Sequence, residues 1–329
     1  MRKGTIEEIV LTRSVTKHIR KHNKGLVVGA GVGNDYSAVS FPFGDVISCE
    51  ATSTDIELAL IKAMNNFATS GGEAMGIRVL FLLSKACEEQ DVKKYMSKVN
   101  SFADENGIQI MGGHTEVTTN ETTYFCITVI GLSKDYKAKI KTIKPGYDIV
   151  MTKYAGLYGS DYIADKKKDN LSKRFAGSYI ANALFGFEQY SVVPEARIAS
   201  LDENVCYMHD VSTGGVYGAL WQLGSRINKG ILVYNSDIPI KQETIEFCEL
   251  FDINPYMLEG TGALLVVSSD GQSLVDELMS KEIFACVIGK VTDSKEKCID
   301  TGSEKRFLSP VKGDDIDSIK NNKPLKSKN

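Results

Sequence analysis

The 329-residue sequence holds no apolar run approaching the roughly 18 residues of a membrane-crossing helix, which excludes a bilayer-spanning helical protein. It has no basic excess. Its 39 Lys and Arg face 42 Asp and Glu, and the net charge of −3 leaves no field to attract nucleic acid. It has no CxxC pair either. Seven cysteines, Cys49, Cys87, Cys126, Cys206, Cys248, Cys286 and Cys298, are scattered along it, so structural zinc is not expected. An odd, unpaired set points to a reducing cytoplasm. Residues 1–8 carry charge with no apolar stretch behind them, which is not the form of a secretory signal.

What remains is a chain of ordinary globular composition, long enough for two domains of about 150 residues each. Thr5 with Glu8 has the form of a capping box, opening a helix through about Arg20. Thr54 with Glu57 repeats it, and Ile56, Ala59, Leu60, Ala63, Met64 and Phe67 mark one face of a helix ending at Gly71-Gly72. Val92, Tyr95, Met96, Val99 and Phe102 lie at helical spacing within 89–106, closed by Gly107. Apolar runs at 46–49, 77–83, 108–111 and 124–130 read as strands.

A polar, basic stretch over 134–144 and the turn Pro145-Gly146 mark a domain boundary. The expected organisation is therefore 1–144, 145–312 and a disordered tail over 313–329, rich in Lys, Asp and Asn. In the second domain strands are expected at 148–153, 205–208, 231–234, 263–267 and 284–288. Helices are expected at 161–165, 174–190, 194–200, 214–224 and 243–251.

Chemistry gathers at glycine-bearing runs. In Ile110-Met111-Gly112-Gly113-His114-Thr115-Glu116-Val117, two glycines at a strand end let the backbone turn sharply or approach a ligand. The imidazole, hydroxyl and carboxylate that follow can receive a phosphate, a metal or a proton; a decorated turn has the same look. Met208-His209-Asp210-Val211-Ser212-Thr213-Gly214-Gly215 has the same character, and the pair suggests one site built from two halves of the chain. Asp210 reads as an exposed carboxylate at a strand end, suited to a metal–phosphate site or to capping the next helix. The run Gly29 to Asp35 lacks the spacing of a dinucleotide fingerprint, yet Gly31 and Gly33 can offer backbone N–H groups to phosphate or form a plain turn. Asn65 and Asn66 occupy a helix end that local propensity does not favour. Lys153, at a strand end, can pair with phosphate or lie on solvated surface.

Together these runs resemble the aminoimidazole-ribonucleotide (AIR) synthetase, or PurM-like, superfamily. The likeness is greatest to AIR synthase-related proteins of the hydrogenase maturation factor (HypE-like) kind. The resemblance rests on Gly31-Val32-Gly33-Asn34-Asp35, Gly112 to Val117, Pro145-Gly146, Thr152-Lys153 and Ser191-Val192-Val193-Pro194-Glu195-Ala196. It continues through Met208 to Gly215, Ala219-Leu220-Trp221, Ile253-Asn254-Pro255-Tyr256 and Val287-Ile288-Gly289-Lys290, in order across nearly the whole chain. It implies a two-domain α/β (α+β) fold. The N-terminal sheet would close a barrel with its twin in a homodimer, and the C-terminal sheet would be flanked by helices. It further implies ATP and Mg2+ in a cleft between the domains, with the γ-phosphoryl group activating an oxygen of a small-molecule or protein-bound substrate.

Carried over by position, the resemblance gives Asp35, Glu50, Asn66 and Asp210 as metal-binding positions, with Asn66 a neutral ligand. Gly31, Gly33, Gly112, Gly113, Thr115 and Lys153 would approach the nucleotide. His114, Glu116 and Asp210 would do the chemistry. Asn34 and Asn66 stand where the family has Asp, and Glu50 stands where it has the shorter acid, so metal affinity should be weaker than in an intact relative. The carbamoyl-dehydrating branch uses a C-terminal cysteine as group carrier. This sequence ends Pro324-Leu325-Lys326-Ser327-Lys328-Asn329 with Cys298 its last thiol, which disfavours that reaction. Two functions follow: an ATP-dependent, Mg2+-assisted phosphoryl-transfer or dehydrating enzyme, or a non-catalytic nucleotide-binding scaffold that has lost turnover through Asn34 and Asn66.

Overall fold

The computed structural model describes residues 8–19, 25–133, 142–310 and 313–320. The chain divides into two compact units. One takes Arg20–Ala30 and Asn34–Lys137; the other takes Met1–Ile19, Gly31–Gly33 and Ala138–Asn329. The division falls near the Pro145-Gly146 turn, but it assigns the first helix and Gly31–Gly33 to the C-terminal unit rather than to a continuous 1–144 domain. That helix, α1 (Glu8–Ser14), stops before the β-branched pair Val15-Thr16 and gives way to a 3-10 turn at Thr16–His18, short of the expected Arg20. Thr5 lies outside the described residues.

The N-terminal unit carries β1 (Leu26–Val28), β2 (Ser37–Phe41), β3 (Gly44–Ser53), α2 (Ile56–Ala68), β4 (Glu73–Leu83), α3 (Glu89–Glu105), β5 (Gln109–Val117) and β6 (Tyr124–Ser133). These strands form a six-stranded sheet in the order β1-β2-β3-β6-β4-β5. Only β4 and β5 are parallel, joined through α3 as a βαβ crossover requires. The periodic face of α2 is buried throughout, from Ile56 to Phe67. Its cap is Asp55 rather than Thr54: the Asp55 carboxylate accepts from Glu57 N and Leu58 N at 2.9 and 3.2 Å. A carboxylate serves a helix N-terminus better than a hydroxyl because it also meets the dipole. Helices α2 and α3 lie on one face of the sheet, where Tyr95 of α3 packs edge-on against Phe81 and Phe125. Cys49 Sγ of β3 sits 3.1 Å from the Ala63 carbonyl of α2. Among the described residues of this unit, no helix covers the other face.

The C-terminal unit continues with β7 (Asp148–Thr152), α4 (Leu157–Lys166), α5 (Lys168–Leu171), α6 (Gly177–Ala181), α7 (Val193–Leu201), β8 (Val205–Val211), α8 (Gly215–Ile227), β9 (Gly230–Tyr234) and α9 (Gln242–Phe251). Then come β10 (Ala263–Ser268), α10 (Gly271–Ser280), β11 (Ala285–Thr292), β12 (Lys297–Asp300), β13 (Lys305–Phe307) and α11 (Ile316–Lys320). The seven-stranded sheet runs β13-β12-β9-β11-β7-β10-β8. The single helix expected over 174–190 is instead α6, which begins at Gly177, and a 3-10 turn at Phe187–Tyr190, because Gly186 between them is extended and the Phe185 amide turns to the Asp161 carboxylate. Residues 313–320, expected to be disordered, dock. Asp314 accepts from Gly214 N, Glu259 N and Ile316 N at 2.6, 3.0 and 2.8 Å, and Ile316 and Ile319 enter the core around Phe247 and Leu258. Residues 321–329 lie outside the described residues. Among the described residues, no helix is long and apolar enough to cross a membrane.

Candidate functional site

In the N-terminal unit two of the expected metal-binding positions, Asp35 and Asn66, meet at Thr69. Thr69, at the end of α2, places Oγ1 2.8 Å from the Asn66 carbonyl and 3.4 Å from Asp35 Oδ2. Asn34 donates Nδ2–H to the Gly29 carbonyl at 2.6 Å, and its Oδ1 is buried without a hydrogen bond among the described residues. An orphaned amide oxygen and, on the next residue of the chain, a carboxylate are both hard-oxygen groups of the sort Mg2+ takes. Asn66 donates Nδ2–H to the Glu50 carbonyl at 3.2 Å, fastening α2 to β3.

Glu50 itself is turned away. Side chains alternate along a strand, so with Cys49 facing α2 the Glu50 carboxylate points to the uncovered face. There its Oε1 lies 3.3 Å from Thr128 Oγ1. The expected set is therefore split, with the Glu50 carboxylate on the side of the sheet opposite Asn66. On that same face the register aligns Thr128 with Arg78 and Arg78 with Gly112, then Leu80 with His114 and Leu82 with Glu116. Cys126 also belongs to it: burial, then the Glu50 carboxylate, pushes its thiol up.

The glycine pair does not form a turn. Gly112 and Gly113 lie inside β5, where a register slip leaves Met111 unpaired as a bulge and Gly112 takes φ +139°. A Cβ on Gly113 would stand 1.9 Å from the Val79 carbonyl, so close backbone approach explains that glycine. His114 Nε2 and Glu116 Oε2 are 3.2 Å apart, both exposed, on the uncovered face. Alternation puts Thr115 opposite Phe81, on the helix-covered side, so Thr115 cannot share a ligand surface with its two neighbours.

In the C-terminal unit Gly33, at φ +72°, accepts from Tyr207 Oη at 2.7 Å, and a Cβ there would stand 2.6 Å from the Gln222 carbonyl. Its glycine is set by packing on α8. Asp210 is not an exposed strand-end carboxylate: β8 runs on to Val211 and Asp210 is only 3% exposed. Beside it, buried His209 meets Gln222 Oε1 at 3.0 Å. Lys153 takes a left-handed backbone, φ +53°, and its ammonium is occupied. Nζ donates to the Gln189 and Ser191 carbonyls at 3.1 and 2.6 Å and pairs with buried Glu195 at 2.6 Å. Three donors are then in use, which leaves none for a phosphate.

Residues 56–133 match the N-terminal domain of AIR synthase related proteins, and residues 144–300 match the C-terminal domain. The chain belongs to the AIR synthase-related family. It is 22% identical over 301 residues to a Methanocaldococcus jannaschii protein named for hydrogenase expression and formation, covering 87% of this chain and 82% of that one. It is 20% identical over 262 residues to the carbamoyl dehydratase HypE of Rhodobacter capsulatus, covering 77% and 71%. Its fold matches a hydrogenase maturation protein HypE solved in complex with ATP, with TM-score 0.69 and 16% identity over 94% of this chain and 95% of that one.

Within this AIR synthase-related chain, the matched stretches hold Asn66, Gly112, Gly113, His114, Thr115, Glu116, Lys153 and Asp210, while Gly31, Gly33, Asn34, Asp35 and Glu50 precede them. Sequence reasoning missed Thr69 and Thr128, whose roles depend on which strand and helix they meet. It also missed Glu195 as the partner of Lys153, although both stood in the family-like runs. A further cavity of about 480 Å3 in the C-terminal unit was not read from the sequence: Asn254 and Tyr256 stood in a family-like run, but Tyr217, Asn235 and Arg306 join them from three other segments.

Proposed function

We propose that this protein binds ATP with Mg2+ and transfers the γ-phosphoryl group to an oxygen of a small-molecule or protein-bound substrate, activating it for transfer or dehydration. The observation that carries the reading is Thr69 at the end of α2, whose Oγ1 meets both Asp35 Oδ2 and the Asn66 carbonyl, with the orphaned Asn34 amide oxygen on the residue before Asp35. Similarity over both domains to carbamoyl dehydratases and to a HypE solved with ATP supports it. Asp35 and the Asn34 and Asn66 amide oxygens would hold Mg2+, with Asp210 as the acid of the C-terminal half. The ion would offset phosphate charge. His114 and Glu116 would face the substrate on the uncovered sheet face and exchange a proton with it.

Calorimetric titration of ATP with and without Mg2+, followed by a phosphate-release assay, tests this. Mg2+-dependent binding with release is the expected result. Binding that ignores Mg2+, with no phosphate released, overturns it. The non-catalytic reading draws on one observation: Asn66 uses its amide to hold the Glu50 carbonyl, a structural role that an Asp could not fill. Asn34→Asp with Asn66→Asp should raise metal affinity if the metal is correctly placed.

The protein would work as a homodimer. Strand β5 ends the sheet order with its outer edge unpaired among the described residues, and Met111 and Val117 on it are exposed. Such an edge is a template for a second chain. Sedimentation should give a dimer, and Met111→Lys with Val117→Lys should shift it to monomer.

A further inference from the structure

The C-terminal unit holds a cavity of about 480 Å3, in the size range of small-molecule sites. It lies by the first turns of α8, around Gly214, Tyr217 and Gly218, whereas His209 meets the same helix further along at Gln222. One wall is flat: Tyr217 and Tyr256 stack with ring centroids 5.0 Å apart and planes 11° from parallel. Asn235 locks the pair, accepting from Tyr217 Oη at 2.6 Å and donating to Tyr256 Oη at 3.2 Å. Ile299, Phe307, Leu308 and Pro310 supply apolar surface to the lining.

Three of the polar groups, Tyr256, Asn254 and Arg306, keep donors for a ligand. Tyr256 accepts from Asn235 and keeps its own O–H to give. Asn254 spends Oδ1 on the Tyr256 amide, which leaves its Nδ2–H2. Arg306 gives Nε–H and one Nη2–H to Glu304 Oε1, so three of its five N–H bonds remain. That pair is solvent-exposed and therefore weak, so a ligand anion can outcompete it. None of the described residues lining the cavity is acidic, and Arg306 is the sole cation among them. Burial, then the Tyr256 phenol, raises the Tyr217 pKa to about 12 against the Arg306 guanidinium, so Tyr217 stays neutral at working pH and keeps its O–H on Asn235. The wall is held from behind by the docked C-terminal segment: Asp315 Oδ2 accepts from Asn254 N at 2.8 Å.

From these contents we infer that the cavity binds an aromatic carboxylate. A single guanidinium fork matches one planar monoanion, convergent neutral donors complete its oxygens, and the tyrosine pair and aliphatic wall take a flat apolar body. One Arg offsets the whole charge of a carboxylate but only about half that of a phosphate dianion, which favours the monoanion. The site is independent of the proposed ATP chemistry.

Calorimetry and saturation-transfer NMR on the full-length protein, with benzoate and indole-3-acetate as probes and benzamide and phenyl phosphate as comparators, test the assignment. At least one carboxylate should bind, with benzamide about tenfold weaker. Arg306→Gln, at an exposed position, should cost the carboxylate about tenfold, and Tyr256→Phe a smaller factor. ATP titration of both variants should match the parent protein, which separates loss of this site from failure of the nucleotide reading. The inference is overturned if neither carboxylate binds, if Arg306→Gln and Tyr256→Phe both leave binding unchanged, or if benzamide or phenyl phosphate binds as tightly as the carboxylates.

Discussion

Two runs of this chain look alike as letters: Gly112-Gly113-His114-Thr115-Glu116 and Met208-His209-Asp210. Each offers an imidazole and a carboxylate on a strand that closes one end of its sheet. In β5 the pair His114 and Glu116 is exposed on a face that no described helix of its unit covers; in β8 the pair His209 and Asp210 is buried, and α7 and α8 pack against that strand. Residue type and sheet position were the same. Covering helices made the difference, and with it the cost of changing each residue.

The sharpest way to break this contrast is at the backbone of β5, where exposure of the side chains hides a tight approach. Gly113→Ala should cost about 3 kcal/mol or more in urea denaturation, since its Cβ meets the Val79 carbonyl and a backbone cannot step aside. A loss under about 0.5 kcal/mol would show that the β4–β5 pairing is loose. In β8, His209→Ala should cost about 2 kcal/mol by removing a buried ring and stranding the Gln222 amide.

Smaller effects sharpen the comparison at the proposed site. Asn66→Asp sets a carboxylate against the Glu50 carbonyl, and should cost about 1 kcal/mol in metal-free buffer and regain it with Mg2+. Thermal melts with and without the ion read this directly; an unchanged loss in Mg2+ argues that no ion sits there. His114→Ala should move stability by less than about 0.5 kcal/mol, yet lower phosphate release about a hundredfold if it handles the substrate proton. Equal rates in variant and parent protein would remove His114 from the chemistry.

Much of the scaffold was legible. The spacing from Ile56 to Phe67 marked the buried face of α2 because a helix repeats every 3.6 residues whatever it packs against. Helix α10 was missed although its signals were present: Asp270 caps it by accepting from Ser273 N, and Leu274, Val275 and Leu278 form its buried face. The tail helix α11 had no such pattern. Its order comes from Asp314 satisfying three backbone amides, two of them far away in sequence.

The sequence by itself determined the strand and helix periods, the absence of a membrane-length apolar run and the family, because these depend on local spacing and on motifs kept in order along the chain. Tertiary structure decided which way the marked residues point. It turned Glu50 away from Asn66, kept Thr115 apart from His114 and Glu116, buried Asp210, and tied Lys153 to Glu195. One residue of strand register reverses a side chain, and one covering helix changes its solvent. Both are set by segments far removed in sequence.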